Sequence, residues 1–183
     1  MQSRYYDWID HHARSKPDKL AVADLATDRR LTYREFDARV SALAAFLSRD
    51  CAIRQGDRAC IIAKSCVEAF ELQFACARIG AIFLPVNWRL TVHELEYIVT
   101  NATPGVLLVE EEFAGVAGQL AGRVDGCRVV VFSGGSPVTS YEKGLTARRG
   151  TKLESLAIDM ESTWLILYTS GTTGHPKGAM LSY

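Results

Sequence analysis

One stretch, Thr169-Ser170-Gly171-Thr172-Thr173-Gly174-His175-Pro176-Lys177-Gly178, gathers the densest set of chemically able groups in this 183-residue chain. Three glycines let the backbone turn tightly and bring N–H groups close to an anion without Cβ obstruction. Four hydroxyls, from Thr169, Ser170, Thr172 and Thr173, add donors, and Lys177 adds a full positive charge on a flexible stem. The stretch contains no carboxylate, so its chemistry is reception of an anion, and phosphate fits the donor set best. An ordinary glycine- and threonine-rich turn explains the glycines but not the hydroxyls and lysine clustered behind an apolar run. It is not a Walker A loop: Pro176 stands where that pattern needs its second glycine, and Gly178 where it needs a hydroxyl.

The run before it, Thr163-Trp164-Leu165-Ile166-Leu167-Tyr168, reads as a strand, and Lys177 to Tyr183 as the start of a helix. Strand, donor-rich loop and helix N-terminus together make a phosphate cradle. Upstream, short apolar runs alternate with helical spacing. Phe36, Val40, Leu43, Ala44 and Leu47 mark a helix to about Arg49. Ala59 to Ala63 is a strand, and a helix from Cys66 follows, with Phe70, Phe74 and Ala77 on one side and Leu72 and Ala69 widening the apolar face. Gly80 ends it, and Ile82 to Leu84 is a strand stopped by Pro85. Thr91 opens a third helix, then come the strand Val106 to Val109, a small-residue helix around Val116 to Val124, and the strand Val129 to Phe132. Continuous apolar strands separated by helices predict an α/β fold, a mostly parallel sheet flanked by helices.

Thr32 with Glu35, Ser65 with Glu68, Thr91 with Glu94, Thr139 with Glu142 and Thr151 with Glu154 match the capping-box pattern, so these glutamates read as structural and not as catalytic acids. Residues 133–162 read as a surface connection containing a short helix. Lys+Arg and Asp+Glu are both 21. That balance lacks the basic field nucleic-acid binding relies on, so no nucleic-acid partner is expected. No run reaches the roughly 18 apolar residues of a transmembrane span. Cys51, Cys60, Cys66, Cys76 and Cys127 are odd in number without a C-x-x-C pair. They read as packed thiols in a cytoplasmic protein, with Cys66 at a helix start that favours thiolate.

Tyr168 to Met180 closely resembles the signature of the adenylate-forming, AMP-binding enzymes: acyl- and aryl-CoA ligases, luciferases of the firefly type and adenylation domains of peptide synthetases. Pro17-Asp18-Lys19-Leu20-Ala21-Val22, Leu31-Thr32-Tyr33-Arg34-Glu35-Phe36, Gly56-Asp57-Arg58 and Gly80 to Thr91 extend the likeness from about Tyr5 onward. Pro85-Val86-Asn87-Trp88-Arg89-Leu90 looks more like the fatty-acyl and aryl-CoA ligases. The resemblance implies ATP, Mg2+ and coenzyme A as participants and a small carboxylic acid as substrate. A carboxylate attacks the α-phosphate of ATP to give acyl-AMP and pyrophosphate, and a coenzyme A thiolate then displaces AMP. In such enzymes Thr169, Ser170, Gly171, Thr172, Thr173, Gly174 and Lys177 would hold the β- and γ-phosphates. Lys177 would stabilise charge on departing pyrophosphate, and Thr172 would contribute to the magnesium shell. Asn87 and Arg89 are expected to organise a turn.

Position 183, commonly His in the family, is Tyr here. The family's later motifs, for adenine and ribose, the acyl pocket, the hinge and the C-terminal catalytic lysine, do not occur in these residues. The expectation is therefore a partial N-terminal AMP-binding domain, the first α/β lobe of the large N-terminal domain. It comprises a lobe to residue 132, the connection 133–162, and a strand, phosphate loop and truncated helix over 163–183. By itself it is expected to be inactive and to self-associate through an uncovered apolar face. A stand-alone phosphate-binding or ATP-binding module, and a non-catalytic interaction remnant of the family, are the alternatives.

Overall fold

A computed structural model describes residues 6–134, 136, 138–151, 153, 156–169 and 176–183. In chain order it contains α1 (Trp8–Ser15), β1 (Leu20–Asp24), β2 (Arg29–Thr32), α2 (Tyr33–Arg49), β3 (Arg58–Ala63), α3 (Val67–Ile79), β4 (Ile82–Asn87), α4 (Val92–Ala102), β5 (Val106–Glu110), α5 (Ala114–Ala121), β6 (Arg128–Phe132), α6 (Ser140–Ala147), β7 (Thr163–Thr169) and β8 (Lys177–Ser182). β1 and β2 form an antiparallel hairpin. The other strands make one sheet in the order β6-β5-β3-β4-β7-β8, parallel throughout except for β8, which returns antiparallel along β7.

The expected α/β architecture is present, and its cause is visible in β3. Ala59 and Ile61 enter a core shared with α2, α3 and α6, while Cys60 and Ile62 enter a second core under α4 and α5. Neighbouring β5 does the same, Val106 and Leu108 on one side, Leu107 and Val109 on the other. Burial on both faces explains why these strands read as unbroken apolar runs instead of alternating ones.

Helix starts follow the capping pattern in part. Thr32 with Glu35 and Thr91 with Glu94 make complete boxes, each hydroxyl accepting from the third backbone N–H and each carboxylate from the cap's own. Ser65 does not cap α3; Cys66 holds that place without a side-chain cap bond in the hydroxyl manner. Glu68 instead turns inward, 1% exposed, and accepts from Arg29 Nη2 at 2.8 Å. Thr139 caps α6, yet its Glu142 carboxylate goes to Arg39. Glu154 lies outside the described residues.

Four further expectations change. Pro85 does not stop β4, which runs through it with Pro85 registered against Ile61, because a proline removes one donor without removing the extended backbone. Phe70 is half exposed, whereas Leu72 and Ala77 of the expected apolar face are buried, together with Val67, Ala75, Cys76 and Ile79. The connection after residue 132 is not all surface: Tyr141 and Leu145 of α6 are buried, and a Cβ on Gly144 would stand 2.8 Å from the Phe46 ring of α2. The segment after the loop is not a truncated helix but strand β8. Six residues of helix close too few hydrogen bonds to repay nucleation, whereas the same residues find a ready ladder on β7.

Three helices on the larger core are joined by buried ions. Arg39 of α2 meets Glu71 of α3 through Nε at 2.5 Å and Nη2 at 3.1 Å, and Glu142 of α6 through Nη2 at 2.5 Å and Nη1 at 3.1 Å. The Tyr141 hydroxyl donates to Glu71 as well. Burial opposes the Arg39 charge, but Glu142 and Glu71 outweigh it and raise its pKa. Arg78 of α3 likewise binds Asp7, at the α1 cap, and Asp37 of α2, at 2.7 and 2.5 Å. Glu71 is fully buried, so removing it leaves Arg39 Nε and the Tyr141 hydroxyl without their acceptor. Glu71→Ala should lower stability by about 3 kcal/mol in urea unfolding with an unchanged slope; a loss under about 1 kcal/mol would show that the network is not cooperative.

Candidate functional site

Because β3, β4, β5, β6 and β7 run parallel, their C-terminal ends share one edge of the sheet, where α/β folds collect ligands. The predicted phosphate loop leaves β7 at this edge. Thr169 ends β7 and is registered with Lys177, the first residue of β8, so this pair closes the base of the loop. Ser170, Gly171, Thr172, Thr173, Gly174 and His175 lie outside the described residues. Lys177 is exposed beside the loop. The loop thus joins two antiparallel strands, and no helix begins behind it. What the structure places at this edge is the Thr169–Lys177 pair that brackets the predicted loop.

The strand ends beside it bring further charge to the same edge. Asn87 organises the turn after β4 as expected: its Oδ1 accepts from Arg89 N at 3.0 Å and its carbonyl from Leu90 N at 3.1 Å. Arg89 takes part through its backbone, while its guanidinium lies 4.2 Å from the centre of the Trp88 ring. Lys64, after β3, sits 5.6 Å from the same ring and pairs with Glu112 after β5. Trp88 also packs against Phe113, ring centres 6.1 Å apart. The sequence reading passed over this aromatic platform; a Trp-Arg pair directly after an apolar strand was the available signal. Tyr183 lies at the other end of the hairpin, its ring 6.2 Å from that of Trp164. Six residues of strand place it roughly 20 Å from the base of the loop.

The AMP-binding enzyme family matches residues 9–183. The chain belongs to the AMP-binding enzymes. It is 33% identical over 179 residues to an indoleacetate–CoA ligase of Aromatoleum aromaticum, covering 96% of this chain and 34% of the relative. A feruloyl-CoA synthase of an Amycolatopsis species is 34% identical over 177 residues, with 96% and 33% covered. Among solved structures, ATP-bound MatB from Rhodopseudomonas palustris superposes with a TM-score of 0.81 at 30% identity, over 95% of this chain and 35% of that one. The N-terminal domain of FACL13 from Mycobacterium tuberculosis gives 0.85 at 25% identity, over 98% and 44%. The chain spans about a third of the length of the curated relatives it matches.

Within this AMP-binding lobe the cysteines carry no reactive chemistry. Burial pushes the Cys66 thiol up to about 12, and Cys51 and Cys127 up to about 11; Cys60 and Cys76, fully buried, rise further. At Cys66 the desolvation cost exceeds what the helix start and the backbone donors of Ala69 and Glu68 return. All five thiols therefore stay protonated at pH 8, and only thiolate is alkylated. Iodoacetamide at pH 8 should label the folded chain at least tenfold more slowly than the urea-unfolded chain, as read by intact mass; rapid labelling of Cys66 in the folded chain would contradict this account.

Proposed function

We propose that this chain is the N-terminal portion of an ATP-dependent acyl-CoA ligase acting on a small-molecule carboxylic acid. What supports the reading is family membership over residues 9–183 together with a hydroxyl- and lysine-rich loop at the ligand-bearing edge of the sheet. The relatives named above are ligases of acids to coenzyme A, and one solved neighbour holds ATP.

A carboxylate is a poor acyl donor, because its charge repels nucleophiles and it lacks a leaving group. Transfer of AMP from ATP supplies the leaving group and releases pyrophosphate, and a coenzyme A thiolate then expels AMP to give the thioester. In this reading Thr169, Ser170, Gly171, Thr172, Thr173, Gly174 and Lys177 hold the β- and γ-phosphates. The donors act on charge that grows as pyrophosphate departs, which is where electrostatic catalysis contributes most. Among the described residues no group of three or more His, Cys, Asp or Glu side chains could hold a metal ion. Magnesium would accompany the phosphates of ATP, with the Thr172 hydroxyl as the proposed protein contribution. The five free cysteines fit a reducing cytoplasm.

This length of chain alone is proposed to be inactive, because the resemblance assigns adenine, ribose and acid recognition to motifs that do not occur in these residues. The 183-residue chain should show no acid-dependent ATP–pyrophosphate exchange. A chimera in which residues 9–183 replace the matching third of the indoleacetate–CoA ligase should exchange. Lys177→Ala in that chimera should slow exchange about 100-fold with little change in KM for the acid. An unchanged rate would remove Lys177 from the mechanism, and exchange by the short chain would overturn its inactivity.

We further propose self-association of the 183-residue chain through the outer edge of β8. All six of its residues are exposed, with Met180 72% and Leu181 42% accessible, and no proline or inward charge protects the edge. A second copy is the proposed occupant: antiparallel β8–β8 pairing sets Lys177 opposite Ser182, so no like charges face each other, and the chain has no net charge to repel its copy. Sedimentation velocity should show concentration-dependent dimers that Met180→Lys reduces to monomers; monomers at all concentrations would exclude this edge as an interface.

A further inference from the structure

β8 is held on one side only. Among the described residues its ladder partner is β7, so within this chain the base of the loop is fixed through β7. A donor-rich loop binds and orients an anion well only if its ends are already fixed, because ordering them on binding consumes affinity. Tyr168, the residue before Thr169, is registered with Gly178, the residue after Lys177. Its ring lies close against the glycine: a Cβ there would stand 3.2 and 3.3 Å from Cζ and Cε2 of Tyr168, and 3.0 Å from Cγ2 of Ile166. The ring packs on the smaller core, and its hydroxyl donates to Asn101 Oδ1 of α4 at 2.5 Å. The C-terminal end of α4 is tied in turn to β3, through Arg58 to the carbonyls of Ala102 at 2.7 Å and Thr103 at 2.8 Å.

We infer that Tyr168 and Asn101 are positioning residues that, with Gly178 as the space for the ring, clamp the base of the phosphate loop to α4. Nothing in the phosphate chemistry requires a phenol hydroxyl at this place, and a phenylalanine would fill the same apolar volume. The hydroxyl serves the tether. Asn101 is exposed on the last turn of α4 and offers nothing to the core, so its contribution is the same bond. A substituent at position 178 would push the ring off β8 and free Lys177 from its register with Thr169.

The inference rests on the phosphate-loop reading, and its test separates the two. The 183-residue chain and its Tyr168→Phe, Asn101→Leu, Asn101→Asp and double Tyr168→Phe/Asn101→Leu variants would be titrated with magnesium and inorganic tripolyphosphate by calorimetry. Amide hydrogen exchange would be followed at Lys177 to Ala179 and, as a distant control, at Leu165. Each single loss of the bond should weaken tripolyphosphate binding about fivefold and speed exchange near the loop about tenfold, leaving Leu165 unchanged. The double variant should be no worse than either single one, because both remove the same bond. Asn101→Asp keeps an acceptor and should restore both readouts. Unchanged exchange and affinity in the single variants, or losses that multiply in the double, would overturn the clamp. If the unaltered chain does not bind tripolyphosphate, the phosphate reading fails, and exchange at Lys177 to Ala179 still decides the clamp.

Discussion

Everything in this lobe depends on burying a parallel sheet on both faces. Strand β3 gives alternate residues to two separate cores, and its neighbours β4 and β5 do the same. A strand with no wet face has no place for a functional side chain along its length. Polar chemistry is forced to the strand ends, and since the strands are parallel, those ends coincide. The Thr169–Lys177 loop base, the Asn87 turn, the Trp88 platform and Lys64 stand at one edge for this reason, without any need for them to be neighbours in sequence.

The covering helices must then be held in place without uniform apolar packing, because the interface of α2, α3 and α6 includes charge. Glu71 and Glu68 are buried almost completely, and each is bought into the interior by an arginine from another element, Arg39 of α2 and Arg29 of β2. Such pairs add less net stability than their Coulomb energy suggests, since both ions lose water. Their effect is specificity: Arg39 can satisfy Glu71 and Glu142 together only when α6 lies across α2 in one register.

What was legible in the sequence follows the same division. The parallel strands and the helices α2 to α5 show themselves because two-sided burial writes a local signal, an unbroken apolar run, and capping writes another, as at Thr32 and Thr91. Elements whose support is distant were not legible. α1 depends on Asp7 as its cap and on Arg78, 71 residues away, and the β1–β2 hairpin depends on Arg29 reaching Glu68. The glutamates of Ser65-x-x-Glu68 and Thr139-x-x-Glu142 match a cap pattern but are claimed by arginines that local spacing cannot show. The loop residues themselves were legible as a donor-rich set; the clamp of Tyr168 on Asn101 was not, because α4 and β7 meet only in the folded sheet.

The replacement of an expected helix by strand β8 changes how the site must work. A helix behind the loop would present several aligned N–H groups and about half a positive charge to an anion, independent of any side chain. A hairpin offers no such sum, because the dipoles of antiparallel strands nearly cancel. If the proposed phosphate reading holds, the burden of charge falls on Lys177 and on the loop's hydroxyls, whose aim would depend on the two strands. β8 carries the lysine and is registered with β7 from Thr163 to Thr169. In the proposed reading, precision at the phosphates would depend on what fixes β8 to β7 at Thr169–Lys177 and Tyr168–Gly178 as well as on the loop's own sequence. On the clamp proposed above, a tyrosine hydroxyl bonded to α4 would bear on a site it does not touch.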